Sequence, residues 1–167
     1  MDVRLRELSL TDGIDVFEML KEIPPDEKGF MNGAHMLSFE QFPYYLKQQD
    51  DFSRGINLDG KFVPQTTYWL TVDGNPVGMG KLRHSLNDNL RRSGGHIGYA
   101  IRPSERGKGY GNILLNELLK KANEKGISDV LLTVNENNTL SRKVIEANNG
   151  LLEYDSDGKC SYWVKLH

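Results

Sequence analysis

The sequence predicts an α/β domain built on a mixed, mostly antiparallel sheet, and three observations carry that prediction. Short apolar or alternating runs of strand length interleave with segments of helical period along the whole chain. Thr66–Val72 and Pro76–Arg83 flank Asp73-Gly74-Asn75, an antiparallel hairpin signal. His96–Arg102, Tyr110–Ala122 and Val130–Val134 then read as strand, helix, strand, an order that needs a helical crossover and gives a parallel pair.

The remaining elements follow in order. Val3–Leu8 alternates apolar and charged residues and reads as the first strand. Thr11 is expected to cap a helix carrying Ile14, Phe17, Leu20 and Lys21, which stops before Pro24-Pro25. Ser38 and Gln41 make a capping box for a second short helix through Leu46, with Phe42, Tyr45 and Leu46 on one face and Pro43 tolerated in the first turn. Residues 47–64 are polar and glycine-bearing and are expected to be an extended loop, as is Ser85–Gly95. In the crossover helix Ile113, Leu114, Leu118 and Ala122 share a face, and Gly126 ends it. Asn138–Ala147 is the last helix, and Leu151–Tyr154 with Cys160–Leu166 form a closing hairpin around Asp155-Ser156-Asp157-Gly158. No repeat, low-complexity tract or linker divides the chain, so residues 1–167 are expected to form a single domain.

Composition narrows the function classes. Charged residues are 26% and hydrophobic residues 38%, ordinary for a globular enzyme-sized domain. No apolar run has membrane-spanning length, no basic stripe is interleaved with aromatics, and Met1-Asp2-Val3-Arg4 lacks a signal pattern. A cytoplasmic protein engaging neither membrane nor nucleic acid is expected. Cys160 is the sole cysteine, so neither a disulfide framework nor a cysteine metal cluster is expected. The net charge of −2 divides unevenly: residues 1–75 hold 7 Lys/Arg against 13 Asp/Glu, and residues 76–167 hold 14 against 10. Either these are ordinary solvated faces, or the basic half meets a polyanionic cofactor while the acidic half draws a cationic substrate.

The most informative segment is Arg106-Gly107-Lys108-Gly109-Tyr110-Gly111-Asn112, between a strand and a helix. Two cations, three glycines that leave the backbone uncovered, and the unpaired N–H groups of a helix start together suit a diphosphate. The dinucleotide fingerprint fails, because its third glycine would fall on Asn112. The P-loop fails too, because Gly111 is followed by Asn112 rather than by Lys and a hydroxyl residue. What remains is Arg-x-x-Gly-x-Gly, filled by Arg106, Gly109 and Gly111 directly after a strand.

This motif resembles the coenzyme A pyrophosphate loop of the GCN5-related N-acetyltransferase (GNAT) superfamily, and the element order resembles its fold over nearly the whole chain. Downstream, Asn138 and Ser141 match the family's Asn-x-x-Ala/Ser, where the asparagine lies near pantetheine; a plain helix N-cap is the other reading of Asn138. Gly-His-Ile-Gly-Tyr and Leu-Leu-Thr-Val are similar to a bacterial branch of predicted acetyltransferases. The resemblance implies a twisted sheet of about seven strands with a splayed parallel pair and about four helices. It also implies acetyl-CoA as cosubstrate without a metal, and transfer to a small amine or a peptide amine by direct attack in a ternary complex; a homodimer is compatible with it.

Site residues follow from the same resemblance. Tyr99, Ala100 and Ile101 would pair with pantetheine as a strand does, the Ile101 N–H would face the thioester oxygen, and Gly107 to Asn112 would hold the diphosphate with charge from Arg106 and Lys108. Relatives place a thiolate-protonating tyrosine seven residues after the Asn138 position, and here that residue is Ile145. Tyr162 and Tyr154 are replacement candidates. His96 is a candidate base because imidazole titrates near neutrality. Strand alternation turns it away from Ile101, His84 is the second candidate, and structural hydrogen bonding is the competing reading for both. Cys160 on an apolar strand reads as a core residue rather than an acyl carrier. Two alternatives stay open at this level, a noncatalytic acyl-CoA-binding module and a protein N-acetyltransferase.

Overall fold

The structure is a computed structural model that describes residues 1–166. β1 (Val3–Glu7), β4 (Gln65–Val72), β5 (Asn75–Arg83) and β6 (Ile97–Ile101) form one antiparallel sheet in the order β1-β4-β5-β6. β7 (Asp129–Asn135), β8 (Leu151–Ser156) and β9 (Lys159–Lys165) form a second, in the order β7-β9-β8. These are the seven strands longer than two residues. The mixed α/β architecture and the antiparallel hairpins agree with the sequence reading.

Each face of the first sheet carries its own core. On one side α4 (Tyr110–Glu124) buries Leu114, Leu115, Leu118, Leu119 and Ala122. It sits close because β5 presents Gly78 and Gly80: a Cβ there would lie 2.8 Å from Ile101 Cδ1 and 2.7 Å from Leu118 Cδ1. On the other side α1 (Ile14–Glu22) and α2 (Phe42–Ser53) cover Trp69, Met79 and Ala100. Trp69 Nε1 donates to Asp12 Oδ2 at 2.7 Å, and Arg6 pairs with Asp12 Oδ1 at 2.7 Å, which ties β1 and β4 to the start of α1.

The two sheets meet at one point. His96 N donates to Leu131 O at 2.7 Å, and Leu131 N donates back to His96 Nδ1 at 2.9 Å. Beyond that point β6 and β7 share no ladder, so the pair joined by α4 splays. Gly95 makes the approach possible, because its φ is +59° and a Cβ on it would run into Leu131 O. Gly95→Ala is therefore expected to cost on the order of 3 kcal/mol of folding stability, measured by chemical denaturation.

Several expectations are corrected. The α1 N-cap is Gly13, because the Thr11 hydroxyl instead meets Ser9 Oγ at 2.9 Å. The Ser38–Gln41 box is present, with Ser38 N donating to Gln41 Oε1 at 3.0 Å, but it opens a 3₁₀ turn that leads into α2. That helix runs to Ser53, so residues 47–53 are helical rather than loop; their polar side chains form its solvent face, while Gln49 is buried. Asp26–Glu27 (β2) and Phe30–Met31 (β3) form a small unforeseen hairpin. A fifth helix, α3 (Asp88–Arg92), occupies the polar stretch before β6, and α5 is Thr139–Ala147. Among the described residues no helix is long and apolar enough to cross a membrane.

Candidate active site

The splay leaves a cleft of about 490 Å³ between β6, β7, the N-termini of α4 and α5, and the β2–β3 hairpin. Its walls follow from the pairing of β6. Arg83 N donates to His96 O at 2.7 Å and Arg102 N to Val77 O at 2.9 Å, so even-numbered β6 residues bond to β5. Antiparallel alternation then turns the N–H and C=O groups of Tyr99 and Ile101 toward the open edge. An edge of unpaired backbone groups is a template for an extended ligand. The Ile101 carbonyl on this edge already accepts Arg106 Nε at 3.0 Å.

The glycine loop closes one end. Gly107 and Gly109 have φ of +78° and +83°, and nothing lies within 4 Å of where a Cβ would stand on either. The requirement there is backbone conformation and open space in front of it. Gly109 is the α4 N-cap, so the first N–H groups of the helix have no helical acceptor. Arg102 Nε donates to Glu22 Oε2 at 2.6 Å, which pins the turn before the loop to α1. The two loop cations are engaged by carboxylates, Arg106 with Glu27 at 3.3 Å and Lys108 with Glu105 at 2.8 Å. Such exposed pairs are worth little, so an arriving anion can displace them. Lys108 is exposed and lies off the cleft wall. Asn112 lines the cleft, and its Oδ1 accepts Asn148 Nδ2 at 2.6 Å, which ties α4 to the end of α5.

Opposite the loop, Asn138 is the α5 N-cap, its Oδ1 accepting Ser141 N at 3.3 Å, and it lines the cleft with Ser141, Val144 and Ile145. Tyr99, Ala100, Ile101, Arg106, Gly107, Gly109, Tyr110 and Gly111 share these walls. The Tyr99 hydroxyl is buried and has no hydrogen-bond partner among the described residues. Burial pushes its pKa up to about 12. A buried orphan hydroxyl beside an open strand edge and an uncovered glycine loop suits a long ligand bearing amides and a diphosphate.

Four acid–base candidates lie elsewhere. His96 sits at the closed end as the latch to Leu131, with Nδ1 acting as acceptor. Burial, then the positive charge of Arg83 and Arg91, pushes its pKa from 6.5 to about 4. Because the folded value is the lower one, the unfolded chain binds more protons between these pH values. The stabilisation is full above about pH 6.5 and is lost as pH falls toward 4. Thermal denaturation across that window should show Tm rising with pH, with the slope reduced in His96→Gln. His84 Nε2 meets Thr66 Oγ1 at 2.7 Å, off the cleft wall. Tyr162 is fully buried beneath α5, donating to Glu146 Oε2 at 2.7 Å and accepting from Arg142 Nε at 3.0 Å. Tyr154 is exposed on β8.

Residues that the sequence reading passed over also line the cleft: Glu27 and Phe30 from the small hairpin, Arg83 from the end of β5, Thr133 from β7 and Lys159 from β9. Only the splay brings these five together.

Residues 30–151 match the model of the Acetyltransferase (GNAT) family, well over half of the chain. No curated protein sequence matches it. Solved structures share the fold at low identity. A GNAT-family acetyltransferase from Streptococcus pneumoniae aligns with a TM-score of 0.66 at 16% identity, covering 99% of this chain and 100% of its own. The Campylobacter jejuni N-acetyltransferase PseH, in complex with acetyl coenzyme A, gives 0.60 at 14%, covering 99% and 100%. The PaiA N-acetyltransferase from Thermoplasma acidophilum, in complex with coenzyme A, gives 0.61 at 19%, covering 99% and 99%. With the family match spanning the glycine loop and both splayed strands, this chain belongs to the GNAT family of acetyltransferases.

Proposed function

We propose that this protein transfers the acetyl group of acetyl-CoA to a primary amine, directly and within a ternary complex. The observation that carries the reading is the unpaired edge of β6 at Tyr99 and Ile101, set between the uncovered Gly107–Gly109 loop and the α5 N-terminus. Two proteins of similar fold are complexes with acetyl coenzyme A and with coenzyme A, which supports the choice of cosubstrate.

When bound, acetyl-CoA supplies a thioester carbonyl to the amine; the chain positions it and handles charge and protons. The backbone of Tyr99 pairs with the pantetheine amides, and the first turn of α4 meets the diphosphate. The Ile101 N–H donates to the thioester oxygen as that oxygen gains negative charge, an effect worth roughly 3 kcal/mol for one preorganised donor. Of the cleft-lining hydroxyl residues, Tyr99, protonated throughout the neutral range, returns a proton to the departing sulfur once its side chain turns out of its buried position. The amine loses its proton to solvent, since both histidine candidates are engaged off the cleft wall. That neither His84 nor His96 lines the cleft is also what favours the second reading, a noncatalytic acyl-CoA-binding module.

Cys160 is buried off the cleft wall, and burial pushes its thiol pKa up, so it is outside this route. Steady-state rates with acetyl-CoA and a panel of amines, including peptide N-termini, should give intersecting double-reciprocal lines, and Cys160→Ala should leave them unchanged. Parallel lines with an acetylated protein would overturn direct transfer. Binding without thiol release on every amine would leave the module.

A further inference from the structure

Resting on that reading, we propose that the acceptor amine also carries a carboxylate, and that Arg83 and Lys159 form the subsite that holds it. Arg83 ends β5 on the same sheet face as Met79, the side covered by α1, α2 and Phe30, away from α4. Its Nη1 donates to Gly94 O at 3.0 Å and to Gly95 O at 3.3 Å, which fixes the plane of the guanidinium. Among the described residues no acceptor engages its Nε or Nη2, and it lines the cleft. Lys159 lines the same wall and donates to Ser93 Oγ at 2.8 Å, so both cations are anchored on Ser93–Gly95. Among the described residues neither has a carboxylate within 4.0 Å, while the two carboxylates of the wall, Glu27 and Glu105, are engaged by Arg106 and Lys108.

Gly98 keeps this corner open. A Cβ there would lie 3.1 Å from Phe30 Cδ2 and 3.9 Å from Arg83 Nη1, so a side chain would fill the floor between ring and guanidinium. The corner is distinct from the diphosphate loop. β6 runs from the His96 latch to Ile101, and at about 3.3 Å per residue the two ends are ~15 Å apart. A half-buried cation without a counter-ion is unfavourable, and a planar guanidinium with its remaining donors free is shaped for a carboxylate taken bidentately. Burial lowers the Arg83 pKa, and its charge helps lower that of His96, as expected of an uncompensated positive field. The acidic surplus of residues 1–75 suggested a cationic acceptor. Exposed charges are screened beyond a Debye length, however, and the groups facing the cleft decide the contact.

Because Ile101 lies three strand residues, about 10 Å, beyond Gly98, the experiment is acetyl transfer to ω-amino acids whose amine and carboxylate stand about that far apart, such as 8-aminooctanoate, and to their carboxamides, read as the ratio of kcat/KM for acid over amide. Charge-assisted hydrogen bonds predict a ratio of about 10 to 100 in the wild type. It should fall to near unity in Arg83→Gln and be partly restored in Arg83→Lys. Comparing ratios across variants cancels the difference in amine basicity. Because Arg83 also holds Gly94 and Gly95, Lys159→Gln provides the second variant and should reduce the ratio by itself. Equal use of acids and amides by the wild type, or a ratio retained in both Arg83→Gln and Lys159→Gln, would overturn the inference while acetyl transfer stands. No amine acetylated, with acetyl-CoA still bound, would remove the transferase reading and this subsite with it.

Discussion

Gly109→Val is expected to weaken acetyl-CoA binding by about 100-fold, the loss of roughly two charge-assisted hydrogen bonds. The α4 N-cap needs φ near +83°, which a β-branched residue disfavours, and the added atoms would occupy the open space in front of the loop. Nothing among the described residues lies within 4 Å of that Cβ, so the cost to the fold is the backbone strain alone, about 1–3 kcal/mol, which chemical denaturation measures separately from binding. Titration calorimetry of wild type, Gly109→Ala and Gly109→Val should give a graded loss of affinity. Unchanged affinity in Gly109→Val would place the diphosphate elsewhere.

Tyr99→Phe is expected to lower kcat by about 100-fold, the lower end of what a positioned proton donor contributes. The same change should raise folding stability by about 1 kcal/mol, because it removes a buried hydroxyl that has no partner. The two signs together separate function from structure: a hydroxyl kept for the fold would lower stability when deleted. With its pKa pushed up to about 12, Tyr99 stays protonated across the assay range, so the rate should climb with pH as the amine deprotonates and show no alkaline fall from this group. An unchanged kcat would return the proton-donor role to water.

What the sequence made legible was local chemistry. Arg106 to Asn112 could be read because glycines, cations and a helix start lie within seven residues, and their structural meaning depends on nothing distant. Asn138 and Ser141 were legible for the same reason, as a cap and its third residue. The end of α2 was misread because Lys47, Gln48 and Asp50 resemble loop polarity, when they are one face of a helix whose other face buries Tyr45, Leu46 and Gln49. The β2–β3 hairpin was missed because two-residue strands carry no period. Strand parity correctly raised doubt about His96, but its contact with Leu131 arises from a glycine at positive φ where two sheets cross. Arg83, Phe30 and Lys159 come from three separate strands, and only that crossing gives them a common wall.

The most direct measurement of the central claim is a single turnover with acetyl-labelled acetyl-CoA, enzyme in excess, and an amine, followed by mass spectrometry of the small molecules and of the protein. The account predicts one N-acetylated amine for each free CoA released, loss of both in Tyr99→Phe on the same timescale, and unlabelled protein throughout. Label retained on the protein before it reaches the amine, or acetyl-CoA that binds and is never consumed with any amine, would contradict it.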